Sequence, residues 1–202
     1  EGEGWYRDHF SAAIPTQRCG EITPYYLFHP EAPARAHALL PHAKLIVLLR
    51  DPVARTLSQY FHSRRLGVES LPLQEALAAE PERLDGALGA LRTAGGCHQS
   101  HQEHSYLSRS RYEQQIPAWQ ALYPPDQLLV LRSEDLFEQP DLVWGRVLTF
   151  LDLPMIPLPA LAAPANSGRG EAAQINDRLR QALRNQLLPT YVWVESRYGL
   201  RW

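Results

Sequence analysis

An α/β fold built on a central parallel sheet is what this sequence of 202 residues predicts. Two apolar runs carry the prediction. Lys44–Leu49 (KLIVLL) and Gln127–Arg132 (QLLVLR) lack polar alternation, the mark of a strand buried on both faces. Helical patterns lie between and after them, and strands of this kind separated by helices pair in parallel through crossovers. A pair of strands does not make a stable doubly covered sheet, so a further strand is expected ahead of residue 1. The chain starts at Glu1 and its only methionine is Met155, which reads as a piece of a longer sequence.

In chain order, residues 1–20 read as loop with one turn of helix, and Glu21–His29 as extended. Pro30–Leu40 is Ala-rich with its prolines at the start, where a helix tolerates them, and Pro41 stops it. After the first strand, Asp51 is a good N-cap and Pro52 suits the first helical position. Val53, Leu57, Tyr60 and Phe61 then recur at helical spacing as far as Gly67. Short helices are expected at Leu73–Ala79 and Glu82–Leu91, then a polar loop at Gly95–His104. Tyr106–Leu122 reads as a helix split at Pro117, and Pro140–Leu151 as a strongly apolar helix. Leu153–Ala165 is a Pro-rich loop, Ile175–Leu188 the last long helix, and Tyr191–Trp202 an aromatic tail. No repeat or linker interrupts this order, so residues 1–202 are expected to form a single domain.

Composition excludes several classes. With 20 Lys+Arg against 22 Asp+Glu and a net charge of -2, the chain lacks the basic excess of a nucleic-acid binder. It is 45% hydrophobic and 21% charged, ordinary for a globular protein. The longest aliphatic run, Leu45–Leu49, is far short of the roughly 20 residues a membrane helix needs. No basic-then-apolar leader opens the chain. Cys19 and Cys97 cannot build a disulfide framework and fit a reducing, cytoplasmic setting.

The strongest local signal for chemistry is KLIVLLRDPVARTLSQYFHSRR, residues 44–65. Arg50 falls at the carboxyl edge of a buried strand, where open α/β sheets place ligands. A guanidinium there is a bidentate partner for phosphate, and the N-terminal N–H groups of the next helix favour an anion at the same edge. Ser58, about two turns along, could add a hydroxyl. The residues equally allow Arg50 to pair with Asp51 or a nearby carboxylate, with Ser58 a small packing residue.

The segment resembles the 3′-phosphate-binding strand and helix of sulfotransferases that use 3′-phosphoadenosine 5′-phosphosulfate (PAPS). GWYRDHF (4–10), GEITPYYLFHP (20–30), SYLSRSRYEQQIPAWQALYPPDQLLVLRSEDLF (105–137) and the closing YGLRW are likewise similar to bacterial sulfotransferases related to the heparan-sulfate sulfotransferase catalytic domain. The resemblance implies a P-loop-NTPase-like three-layer fold lacking its first strand, loop and helix, and PAPS as donor with no metal. It places Arg50 and Ser58 on the 3′-phosphate, and Ser167, Gly168 and Arg169 on the late loop around the cofactor phosphates. Many members have a lysine where this chain has Ser167. Thr23, in Glu21-Ile22-Thr23-Pro24, falls near the acceptor, with Ile22 where several members carry lysine. Trp5 and Tyr6 fall in the acceptor cleft, although core packing is the plainer reading for these aromatics. The general base is expected before residue 1, and Glu1 and Glu3 are the nearest carboxylates, so the catalytic residues are unknown.

Three smaller clusters complete the reading. Cys97, His98, His101 and His104 offer metal-ligand chemistry, but their spacing spreads them around a helix and favours a His-rich polar loop. Arg109 and Arg111 read as a solvated helix start, with Tyr112, at helical spacing with Ile116 and Trp119, as a core residue, and the resemblance adds a lining role near cofactor or acceptor. Glu134-Asp135 reads as a helix cap. The expected activity is sulfuryl transfer to a hydroxyl or amine of a small-molecule, carbohydrate or lipid acceptor. The alternatives are a non-catalytic nucleotide-binding module and an interaction fragment associating through an exposed sheet edge.

Overall fold

A computed structural model of the chain describes residues 2–14, 16–159 and 170–202. Its elements in chain order are α1 (Glu3–Asp8), α2 (Ala32–Leu39), β1 (Leu45–Leu49), α3 (Pro52–Arg65), α4 (Leu73–Arg83), α5 (Ala87–Leu91) and α6 (Gln99–Glu103). Short 3₁₀ turns at Ser108–Ser110 and Tyr112–Gln114 lead into α7 (Ile116–Gln120). Then come β2 (Leu128–Arg132), α8 (Asp135–Glu138), α9 (Pro140–Phe150), α10 (Asp177–Gln186) and α11 (Leu188–Tyr198).

β1 and β2 pair in parallel with Leu45 opposite Leu128 and Leu49 opposite Arg132, and they are the sheet among the described residues. Alternation gives the sheet two different faces. Leu49 and Val130, with Val47 and Leu128 beside them, pack on Tyr112, Ile116 and Val194 of α11. On the other face Leu129 lines a groove with Leu142, Gly145 and Phe150 of α9. Ile46 and Leu48 on that face remain 39% and 47% exposed.

Helix α3 begins where the sequence placed it, with Asp51 as N-cap and Pro52 in its first turn. Its stripe Val53, Leu57 and Tyr60 packs on Leu73 and Ala76 of α4, on Tyr106, and on Leu183, Leu187 and Tyr191. Each such side chain contributes about 1.5–3 kcal/mol on burial, so α3 is clamped by helices rather than by the sheet.

Several elements differ from expectation, each for a local reason. Residues 21–29 are turns rather than extended: Pro24 suits the second position of a β-turn, and the Tyr26 N–H reaches Thr23 O at 3.0 Å. α4 passes through Pro81, which lies near its end and removes little of the helical ladder. The polar stretch 95–104 holds α6, capped by His98, whose ring accepts the His101 N–H. Residues 106–122 form 3₁₀ turns and only a short helix from Ile116, with Pro117 in its first turn. The aromatic tail is α11, which buries Tyr191 and Val194 and stops at Gly199, whose φ of 69° suits a glycine C-cap.

Candidate functional site

Arg50 directly follows β1 and is exposed, and its side chain makes no hydrogen bond or ion pair among the described residues. Tyr112 fixes the strand end beneath it by donating to Arg50 O at 2.9 Å. The neighbouring carboxylates are committed elsewhere. Asp51 accepts the Ala54 N–H at 2.7 Å and the Tyr191 hydroxyl at 2.6 Å, with Arg184 at 4.0 Å. Glu134, just after β2, accepts the Asp51 N–H at 3.0 Å and the Trp202 indole N–H at 2.8 Å. Glu134 occupies the N-cap position of α8 as expected, but its side chain makes no cap bond there and instead ties β2 to the start of α3 and to Trp202.

The same contacts correct a second expectation. Pro52 has no N–H, the Val53 N–H points at the Tyr191 hydroxyl at 3.4 Å, and Asp51 and Ala54 donate as described. The first-turn donors of α3 are satisfied internally and do not wait for an anion. Burial, and then the bond to Asp51, push the Tyr191 pKa upward, so its hydroxyl stays protonated at neutral pH and keeps donating to Asp51. What the strand end still offers a ligand is the Arg50 guanidinium. Ser58, half-buried at the end of the second turn of α3, keeps a hydroxyl with no partner among the described residues.

From α3 a line of cations runs toward the chain's early segment. Arg55 donates through Nε to Ser110 Oγ at 2.5 Å, through Nη1 to Gln59 at 2.7 Å, and also to Tyr106 O. Desolvation by burial lowers its pKa to about 10; Tyr112 opposes that, and Arg109 and Arg50 add to it. Arg109 lies over the Tyr25 ring, with the guanidinium carbon 5.3 Å from the ring centre. Tyr25 in turn shares a 2.6 Å hydrogen bond with His101 Nδ1. Burial lowers the His101 pKa to about 4, helped by His29, His98 and Arg109, so the ring is neutral at physiological pH.

Residues 28–166 match the family described as "Sulfotransferase domain". The chain belongs to this family. It is 33% identical over 152 residues to human heparan sulfate glucosamine 3-O-sulfotransferase 6, a match covering 75% of this chain and 40% of the relative. The bifunctional heparan sulfate N-deacetylase/N-sulfotransferase of Drosophila melanogaster is 29% identical over 171 residues, covering 75% of this chain and 15% of that protein. The chain thus spans well under half the length of these relatives. A crystal structure of a sulfotransferase from Alicyclobacillus acidocaldarius superposes with a TM-score of 0.76 at 24% identity, covering 97% of this chain and 70% of that one. The architecture is therefore the sulfotransferase fold, an α/β arrangement of the P-loop-like kind.

Within this sulfotransferase domain, Arg50 and Ser58 share the β1–α3 unit, as the sequence implied. Ser167, Gly168 and Arg169 lie outside the described residues. Trp5 is 52% exposed on α1 with its ring edge against His9, so packing in the core does not account for it. Burial raises the pKa of Tyr6, and Glu21 and Tyr26 raise it further. Thr23 is half-buried, and Ile22 is 93% exposed. Glu3 is engaged by Arg7 at 2.6 Å in an exposed pair. The histidine cluster is used structurally: His98 caps α6, His101 is buried on Tyr25 and stacks on Phe28, and His104 meets Val68 O at 3.4 Å, while Cys97 is exposed. No group of three or more metal-binding side chains is assembled among the described residues.

Sequence reasoning missed the buried Arg55 network and read Arg109 as solvated. Both are ordinary cations in the sequence, each with an acidic residue four positions away (Asp51 and Glu113), so helical spacing offered no signal that would have flagged them.

Proposed function

We propose that this chain provides the 3′-phosphoadenosine end of a sulfotransferase site and transfers a sulfuryl group from PAPS to a hydroxyl, or less readily an amine, of an acceptor. Arg50 would bind the 3′-phosphate bidentately and Ser58 would donate to it, and Ser167, Gly168 and Arg169 would contribute to binding the donor phosphates. Trp5, Tyr6 and Thr23 would line the acceptor side. In the reaction the acceptor oxygen bonds to sulfur as the bond to the 5′-phosphate oxygen breaks. 3′-Phosphoadenosine 5′-phosphate departs, and the acceptor proton goes to a base. Such transfers depend mainly on positioning and on cations around the moving group. The relatives' names support a carbohydrate acceptor over a lipid or other small molecule. Residues 1–202 would act as one domain, in the reducing cytoplasm that its two exposed cysteines suit.

One observation carries this reading: among the described residues Arg50 has no side-chain partner at the strand end, while the nearby carboxylates Asp51 and Glu134 and the first-turn N–H groups already have theirs. The test is calorimetric titration of 3′-phosphoadenosine 5′-phosphate into the chain and into Arg50→Ala. Loss of a charge-assisted bond should weaken binding by about 1.5–3 kcal/mol. Equal affinity in the two proteins would remove the assignment. A second reading, a nucleotide-binding module without turnover, draws on the lack of a G-x-x-x-x-G-K-[ST] loop in residues 1–202. Tight nucleotide binding with no sulfated product would favour it.

A further inference from the structure

Glu134 is a half-buried carboxylate that pairs with no cation among the described residues, although it binds the backbone of the residue next to Arg50. Its oxygens are spent on neutral donors instead. Oε1 accepts the Asp51 N–H at 3.0 Å, and Oε2 accepts the Trp202 indole N–H at 2.8 Å and the Ser133 hydroxyl at 3.2 Å. Trp202 is itself secured. Its ring meets the Tyr191 ring edge-on with centroids 6.1 Å apart, and its carbonyl accepts from Arg184 at 3.1 Å.

These bonds bear on the root of the Arg50 side chain. Regular pairing of β1 ends at Leu49, opposite Arg132, and beyond it the backbone is tied group by group. Leu49 O accepts the Ser133 N–H at 2.7 Å, Arg50 O accepts the Tyr112 hydroxyl at 2.9 Å, and the Asp51 N–H goes to Glu134. The Arg50–Asp51 peptide is thus gripped at its oxygen by Tyr112 and at its nitrogen by Glu134. Asp51 adds stiffness, because a residue before proline is confined to extended backbone, here with φ -43° and ψ 122°. Burial pushes the Tyr112 pKa up to about 12, so the phenol keeps its proton at neutral pH and keeps donating. A long side chain rooted on a fixed peptide has less freedom to lose when it takes a ligand. Resting on the 3′-phosphate reading of Arg50, we propose that Glu134, held by Trp202, is a positioning residue that orients the Arg50–Asp51 peptide so that the guanidinium meets the phosphate, with Tyr112 as the opposite jaw.

Charge and position act in opposite directions here. Removing a carboxylate beside an anion site should by charge alone tighten anion binding, whereas removing a positioning residue should weaken it. In the test, 3′-phosphoadenosine 5′-phosphate is titrated calorimetrically into the full chain, R50A, E134A, E134Q, W202F and R50A/E134A. E134A should bind it roughly tenfold more weakly. E134Q keeps one acceptor oxygen and should recover part of that loss. W202F keeps an aromatic ring without the indole donor, and should fall between wild type and E134A. On the R50A background E134A should cost nothing further, because its effect passes through Arg50. Thermal melts follow folding, and should E134A fail to melt cooperatively, the same comparison is read from E134Q and W202F. Unchanged or tighter binding by E134A, or its full loss repeated on the R50A background, would overturn the proposal. A loss in R50A with none in the folded Glu134 and Trp202 variants would remove the positioning role alone. Equal binding by wild type and R50A, or no binding by either, would remove the 3′-phosphate reading and this role with it.

Discussion

Glu69 shows how strongly one residue can bias this fold. Its side chain is 0% exposed, and it accepts from Arg83 Nη1 at 2.5 Å, the Leu71 N–H at 2.8 Å and the Tyr106 hydroxyl at 2.8 Å. Burial alone would raise its pKa, but Arg83, Leu71 and Tyr106 together hold it at about 2. A carboxylate depressed from 4.5 contributes in full above that value and loses its contribution as pH falls toward 2, roughly 3 kcal/mol in all. His101 acts in the neighbouring window. With its folded pKa lowered from 6.5 to about 4, the unfolded chain binds the proton first, so stability declines as pH drops across that interval. Melting temperature should therefore begin to fall below pH 6.5 and fall again below 4.5. The check is calorimetric melting from neutral to acid pH: E69Q should flatten the lower step and H101Q the upper; a wild-type profile flat from pH 6.5 to 4 would contradict the His101 assignment, and one flat from pH 4.5 to 2 the Glu69 assignment.

Helix α3 is the element on which the site depends, and its cap carries two jobs. Asp51 holds the Ala54 N–H and anchors the Tyr191 hydroxyl, so D51A should cost about 1–2 kcal/mol in denaturant melts, as lost caps do. Because the same change removes a negative charge next to Arg50, 3′-phosphoadenosine 5′-phosphate should bind D51A no more weakly than wild type. A large affinity loss in folded D51A would show that Asp51 supports the ligand directly. The start of α3 was fully legible in the sequence, since Asp-Pro after an apolar run is a local signal. So were both strands and the placement of Arg50 and Ser58. The occupation of the first-turn donors was not. It depends on Glu134, Tyr191 and Trp202, which are distant in sequence and arrive only through tertiary packing. α11 was overlooked for a related reason: its aromatics read as a tail until Leu187 and Leu183 supply the surface on which Tyr191 packs.

At the scale of the molecule, the parallel pair leaves one sheet face half open, with Ile46 and Leu48 beside the groove along α9. Exposed apolar strands without a cover invite association. The chain should therefore self-associate with rising concentration, and I46K/L48K should shift it toward monomer in sedimentation velocity without lowering its melting temperature by more than a few degrees. An unaltered monomer across the concentration range would dismiss the face as a contact. The closed cap of α3 has a different bearing, on competition from small anions. Free inorganic phosphate and sulfate are abundant, and a helix start with open N–H groups is a ready seat for either. Here those donors are taken, so a small anion meets one water-exposed guanidinium and one hydroxyl and gains nothing from the helix start. On the reading proposed above, a phosphate delivered on a larger scaffold, with further contacts to add, should outlast that exchange, while free phosphate or sulfate should not.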